Sequence, residues 1–323
     1  MILHTFGKTG WRVSAVGVGC WQFGGAITLD GKPDGWSGVN DEESVATIQR
    51  ALELGVNFFD TADMYGWGHS EEIVGQALKP HRDSVFIASK AGYWHDDQGR
   101  RTLNESRDYI LRACEASLRR LQTDRIDLYQ CHLGGTKRWA EFLDAFEVLQ
   151  QQGKIRYFGV STLDFSVVQG FNERNSLWSV QMNYNLLDRK PEQETLPYCQ
   201  KHGIAFIARG PLASGKLSGK YTKDTAFDSQ DIRSKWLEEA NRESFECDME
   251  KVERLKSIAT QLGVTLPQLA IRFVLSHPAV SIGIPGAKNR RQLEGNVAAG
   301  AAGPLTKEQM AEVEKAMTQP KPV

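Results

Sequence analysis

The strongest constraint in this 323-residue chain is a rhythm: eight short apolar runs alternate with amphipathic stretches along most of its length. The runs occupy residues 15–19, 56–60, 85–89, 126–131, 155–160, 179–182, 204–208 and 280–284. Most are continuous rather than alternating in hydropathy, as expected of parallel strands covered on both faces. Helix signals lie between them. Acids at 41–43 precede Val45, Ile48 and Leu52 at helical spacing, and Gly55 closes the segment. Ile110, Cys114, Leu118 and Leu121 form a second stripe, and Phe142, Ala145, Phe146 and Leu149 a third before Gly153. Pro267 falls in a first helical turn, where its missing N–H is harmless.

An open doubly wound sheet and a (β/α)8 TIM barrel both fit eight strands alternating with helices. The first seven strands start at intervals near the roughly 30 residues of one barrel unit, and no linker or composition shift divides the chain. A single α/β barrel domain over 1–323 is therefore predicted. Residues 3–12, around Gly7-Lys8-Thr9-Gly10, predict a hairpin before strand one. The last interval is much longer and predicts a polar loop after strand seven, about 218–247, containing Trp236. Such a loop is either a lid over the site or a surface insert.

Composition excludes several classes. The net charge of -1 argues against a general nucleic-acid or membrane-surface partner. Cys20, Cys114, Cys131, Cys199 and Cys247 are odd in number, widely spaced and free of CxxC, which predicts reduced thiols rather than a disulfide framework or zinc cluster. The longest uncharged run, 13–29, is shorter than the roughly 20 apolar residues of a membrane span. A cytoplasmic protein is expected.

In a barrel the site lies where the strands end. Strand two ends at Asp60 and is followed by Tyr65; strand three ends at Lys90; strand four ends before His132. Each alone has a bland reading, as a turn residue, a solvated amine or a structural imidazole. Together they make a working acid. A phenol has a pKa of about 10 and donates poorly near neutrality unless shifted. A neighbouring ammonium is expected to lower that value, and a buried Lys90 needs a carboxylate such as Asp60 to stay charged. His132 could orient a carbonyl beside Tyr65.

At this point the chain resembles the aldo-keto reductase family, of the bacterial NADP-dependent type. The motifs are Gly17-Val18-Gly19-Cys20-Trp21, Phe59-Asp60-Thr61-Ala62 with Tyr65-Gly66, Ser89-Lys90, Ser117-Leu118-Arg119-Arg120-Leu121, Ile126-Asp127-Leu128-Tyr129, His132, Gly159-Val160-Ser161, Gln181, Pro211-Leu212 and Ile284-Pro285-Gly286-Ala287. The resemblance implies Asp60, Tyr65, Lys90 and His132 as the catalytic group. It also implies a nicotinamide cofactor held without a Rossmann fold, and no GxGxxG occurs in the chain.

The segment after strand eight, Gly286-Ala287-Lys288-Asn289-Arg290-Arg291-Gln292, brings three cations to a helix start. That placement opposes the helix dipole unless an anion binds there. Lys288 and Arg291 thus suggest NADP(H) in preference to NAD(H). The resemblance adds Gln292 at the phosphate and Asn296 at the adenine end, Ser161, Thr162 and Gln181 at the carboxamide, and Leu212, Ser214 and Lys216 along the pyrophosphate. The chain departs from the family pattern where an aromatic residue commonly stacks on the nicotinamide: Arg209 stands there, and its planar guanidinium can stack in turn.

Tryptophans in glycine-rich loops predict an aromatic pocket, with Trp21 and Trp94 the residues expected to touch substrate. The function expected is hydride transfer between the nicotinamide and a small carbonyl compound or alcohol, with Tyr65 as acid or base. A slow cofactor-sensing regulator on the same barrel is the alternative. A metal-dependent hydrolase is disfavoured because the seven histidines form no HxH cluster, and no metal is expected.

Overall fold

A computed structural model describes residues 1–96, 98–227 and 231–318. Residues 228–230 of the expected insertion and 319–323 of the expected domain lie outside them. Eight parallel strands form one sheet in chain order: β1 (Val18–Gly19), β2 (Phe58–Asp60), β3 (Phe86–Ala91), β4 (Ile126–Cys131), β5 (Ile155–Ser161), β6 (Ser179–Asn183), β7 (Ala205–Arg209) and β8 (Val280–Ile284). Parallel bridges Val16–Gly283 and Gly19–Gly286 join the first strand to the last and close the sheet into a barrel. Gly19 makes this seam possible. A Cβ there would sit 2.9 Å from the Ile284 carbonyl oxygen, so only glycine lets the two backbones approach.

The helices follow their sequence signals. α1 (Asp41–Glu53) is capped by Asn40, which accepts from the Glu43 amide; α2 spans His69–Leu78; and α3 (Arg107–Arg120) is capped by Ser106. α4 spans Trp139–Gln151, α5 Phe165–Phe171 and α6 Thr195–His202. α7 (Glu239–Gln261) is followed by α8 (Leu266–Leu275), where Thr265 and Gln268 form a reciprocal capping box. α9 (Arg290–Ala302) starts at Asn289, and α10 spans Lys307–Thr318. Their apolar stripes and the outward faces of the strands make one core reaching from Val18 to Ala316.

The barrel interior is layered. Phe58, Ala88, Leu128, Ala205, Ile207, Ile282 and Ile284 fill its lower part. The hairpin expected before strand one pairs Leu3–Thr5 with Arg12–Ser14, and its Phe6, Trp11 and Val13 seal the bottom of this cluster. Side chains two residues further along a strand point the same way, one layer higher. That rule carries Phe58 to Asp60, Ala88 to Lys90, Leu128 to Gln130 and Ile207 to Arg209. A polar layer thus caps an apolar one at the ends where the strands finish.

The segment after β7 differs from the loop expected over 218–247. From Glu239 onward it is helix α7, whose Phe245, Met249, Val252 and Leu255 recur at helical spacing and are buried. Before it, Trp236 stacks on Phe245 with ring centroids 5.7 Å apart. Arg233 lies 5.3 Å over the ring of Trp36. The segment therefore reaches across to the hairpin Ala26–Leu29 and Lys32–Gly35, which follows β1.

Candidate active site

The four residues expected to make a proton donor come from three strand ends and the turn after β2. The Lys90 ammonium lies 2.5 Å from Asp60 Oδ1, 2.8 Å from the Thr61 carbonyl oxygen and 3.2 Å from the Tyr65 hydroxyl. Lys90 is wholly buried and Asp60 nearly so, whereas Tyr65 is half-buried at the mouth. Tyr65 and His132 meet edge to face with centroids 5.8 Å apart.

The electrostatics correct one expectation. Burial pushes the Tyr65 phenol above its ordinary value; the Lys90 ammonium pulls the other way and does not offset it. The phenol is therefore held protonated rather than readied as phenolate. Burial alone would lower Lys90, but Asp60 and Tyr65 together raise it above its usual range. His132 is driven well below the usual imidazole range, first by burial and then by the cations Lys90, Arg209 and Arg101. It is neutral at physiological pH, and its Nδ1 is sealed from solvent without a hydrogen-bond partner.

Sequence reasoning missed Gln130. Its Nε2 donates to Asp60 Oδ2 at 3.2 Å, and Gln181 Nε2 donates to the same oxygen at 2.7 Å. Both amides must present nitrogen, because an amide oxygen facing the carboxylate would repel it. Asp60 thus accepts from the ammonium on one oxygen and from two amides on the other. The signal was present in the alternation of β4: Leu128 faces the interior, so Gln130 must too.

The other expected residues fall into groups. The Ser161 hydroxyl donates to Gln181 Oε1 at 3.4 Å, and Thr162 Oγ1 donates to the Gly134 carbonyl at 2.8 Å. Arg209 ends β7 with its Nε buried and unpartnered, and no ring stacks on it among the described residues. Past Leu212 the backbone takes three successive left-handed residues, Ala213 (φ 48°), Ser214 (φ 54°) and Gly215 (φ 100°). Two of these carry a side chain, and such strain collects at ligand-binding turns. Lys216 stands apart: its ammonium pairs with Asp248 of α7 at 2.7 Å and lies over Trp236.

At the end of β8, the Lys288 ammonium donates to the Ser37 carbonyl at 2.9 Å and lies 5.2 Å over the Trp36 ring. Burial lowers its pKa, and the cations Arg233 and Lys220 lower it further. These two come from the segment after β7 and were not anticipated. Gln292 accepts from the Lys288 amide at 2.9 Å, Asn296 donates to the Gly286 carbonyl at 3.3 Å, and Arg291 is exposed. The argument from three cations at this helix start needs correction. Arg290 is already matched by Glu43 of α1, with 3.2 Å between guanidinium and carboxylate, which leaves Lys288 and Arg291.

The two pocket tryptophans separate. Trp21 lies 6.1 Å from Tyr65 and 5.5 Å from Trp36, ring to ring, as expected of a pocket wall. Trp94 faces elsewhere, against Trp67, His95 and Arg120, and lines a groove with Asp63 and Tyr109. Its neighbour Tyr93 instead approaches His132, at 5.7 Å. Tyr93–His95 is a strand paired with Arg101–Leu103, and consecutive strand residues face opposite ways. Tyr93, not Trp94, is the hairpin residue beside the acid.

Known proteins resemble this chain over nearly its whole length. The pattern described as "Aldo/keto reductase family" matches residues 15–318. The chain is 36% identical over 301 residues to the "Uncharacterized oxidoreductase YqkF" of Bacillus subtilis (strain 168), covering 92% of this chain and 90% of that one. The solved glycerol dehydrogenase AKR11B4 from Gluconobacter oxydans superposes with a TM-score of 0.84 at 32% identity, covering 100% of this chain and 97% of that one. An aldo/keto reductase from Klebsiella pneumoniae, solved in complex with NADP and acetate, superposes with a TM-score of 0.74 at 29% identity, covering 99% and 97%. By the extent of the match and the order of its strand-end residues, this chain belongs to the aldo/keto reductase family.

Proposed function

We propose that the protein is an NADP(H)-dependent oxidoreductase that interconverts a small carbonyl compound and its alcohol, with Tyr65 giving or taking the proton. The described chain acts in this as one barrel unit. The observation that carries the reading is a fully buried ammonium, Lys90, in hydrogen-bond contact with both the Asp60 carboxylate and the Tyr65 phenol.

The residues present fit a nicotinamide dinucleotide. Lys288 and Lys220 bring positive charge to the end of β8, where a 2′-phosphate is best met, while Arg233 beside them is matched by Asp231. Arg291 adds an exposed cation on the same helix start, beside Gln292 and Asn296. In the left-handed turn at 213–215 the Ala213 and Gly215 amides donate to the Gly210 and Leu212 carbonyls, which leaves the Ser214 amide and hydroxyl, next to Leu212, for a pyrophosphate. Ser161, Thr162 and Gln181 stand where a carboxamide would be held. Bound NADPH supplies the hydride.

The chain's own residues do the rest. Tyr65, kept protonated by burial, donates to the oxygen on which negative charge develops. Lys90 stabilises the phenolate left behind, and Asp60 keeps Lys90 charged. Gln130 and Gln181 hold Asp60 in place by donating to its other oxygen. Neutral His132 offers a hydrogen bond to the same oxygen without competing for the proton. Donors fixed in advance around a developing oxyanion supply most of such a rate gain. In Tyr65→Phe, kcat for carbonyl reduction should fall by at least about 100-fold. NADPH affinity, read by fluorescence titration, should stay within a few-fold of the parent. Wild-type turnover in that variant would remove Tyr65 from the mechanism.

A further inference from the structure

The polar layer at the barrel mouth carries a charge imbalance that proton donation does not use. Lys90 and Asp60 cancel at 2.5 Å. Arg209, on the same interior layer at the end of β7, has no counter-charge: among the described residues it forms no ion pair, and its Nε is buried without an acceptor. It ends β7 between Asn183 of β6 and Ile284 of β8, on the interior layer that also carries Asp60 and Lys90. Other partly buried guanidinium groups have acceptors: Arg82, Arg120, Arg189 and Arg233 pair with carboxylates, while Arg272 and Arg254 donate to backbone carbonyl oxygens. A guanidinium presents a planar fork of donors suited to a carboxylate, and a buried N–H left without an acceptor is unfavourable.

We propose that Arg209 selects substrates bearing a carboxylate close to the carbonyl, 2-oxo acids and short semialdehyde acids, by pairing with that carboxylate while the carbonyl oxygen lies at Tyr65 and His132. The inference rests on the reading of Tyr65 as proton donor and names the substrate class of that site. Trp21 lies beside Tyr65, so its ring takes up space next to the acid. A guanidinium stacked on the nicotinamide is the competing role for Arg209, and the experiment separates the two.

The test compares each acid with its methyl ester, which keeps the carbonyl and removes the charge: glyoxylate with methyl glyoxylate, and 4-oxobutanoate with its methyl ester. The wild type should show a kcat/KM at least tenfold higher for the acid of one or both pairs. Arg209→Gln should bring that ratio to one or below. Arg209→Lys, which keeps the charge, should retain part of the preference. Acetate, a carboxylate without a carbonyl, should inhibit reduction of the esters by the wild type and inhibit Arg209→Gln at least tenfold less. NADPH affinity should not change. An acid-to-ester ratio unmoved by Arg209→Gln overturns the proposal. So does a loss of NADPH affinity that matches equal losses for acid and ester, because the guanidinium then serves the cofactor. Tyr65→Phe reports on the proton donor alone, so failure of the selectivity claim leaves that reading standing, and its own failure is seen separately.

Discussion

A phenol raised by burial and an imidazole lowered by burial and neighbouring cations set the expected pH behaviour of single residues. For a carbonyl reduction the competent form is protonated Tyr65. Its pKa lies above the ordinary phenol value, so this form persists through neutrality. His132 loses its proton well below the usual imidazole range, so it does not change state there either. The kcat/KM for reduction should therefore be level from about pH 6 to 8, with no inflection near the reference imidazole value of about 6.5. Alcohol oxidation needs the phenolate and should rise with pH on the alkaline side. Rates measured in both directions against pH check this, and a limb centred near 6.5 in reduction would assign the proton to His132. The four residues expected to handle the proton could be brought together from the sequence because they lie at or just after strands whose ends could be placed. Gln130 was readable from the alternation of β4, but its pairing was not. Gln130 and Gln181 on Asp60, Glu43 on Arg290 and Asp248 on Lys216 are pairings between distant segments, fixed only when the barrel has closed and its helices have packed.

At the scale of elements, the contact between α2 and the end of α3 is set by a missing side chain. A Cβ on Gly75 would lie 2.6 Å from the Leu121 carbonyl carbon and 2.7 Å from the Arg120 carbonyl oxygen. In an isolated helix Gly→Ala gains about 1 kcal/mol. Here the added methyl meets backbone, which cannot rotate away, and overpacking typically costs about 1–3 kcal/mol. Gly75→Ala should be net destabilising, with a lower denaturant midpoint at unchanged slope; a higher midpoint would show that the helices can separate. Elements announced by caps and apolar spacing were the readable ones: Asn40, Ser106, Thr265 and Asn289 each stand at a helix start. Helix α7 was misjudged because charge dominates its first turns, although the buried stripe through Phe245 and Met249 was available. The polar hairpins at 26–35 and 93–103 gave no apolar signal, since loops rather than the core hold them. With the second of these unseen, its alternation was unseen too, and Trp94 was placed where Tyr93 belongs.

Across the whole molecule, the bottom of the barrel is closed by a segment that precedes it in the chain. Trp11 stacks on Phe86 at 4.5 Å and on Phe6 at 5.7 Å, and meets the edge of Tyr157 at 4.9 Å. It is 6% exposed, so its truncation leaves a void beneath the interior layers. Trp11→Ala should lower stability by about 3–5 kcal/mol, read from denaturant unfolding. The turnover of the protein that remains folded should be unchanged, because the mouth lies at the opposite end. A matched loss of turnover and stability would mean that the layers transmit the disturbance upward. The overall architecture was legible because one rhythm ran through the chain and no break interrupted it.

The seam between β1 and β8 joins residues 16–19 to residues 283–286. Nothing earlier in translation can stand in for that far side, and loops closing over so many residues are slow to form. Gly286 lies on the seam and also opens the turn at Lys288, so the corner proposed to grip the dinucleotide is among the last pieces to assemble. Capture of the coenzyme then marks a chain whose ring has been completed, and it tightens the one joint that no covalent neighbour secures.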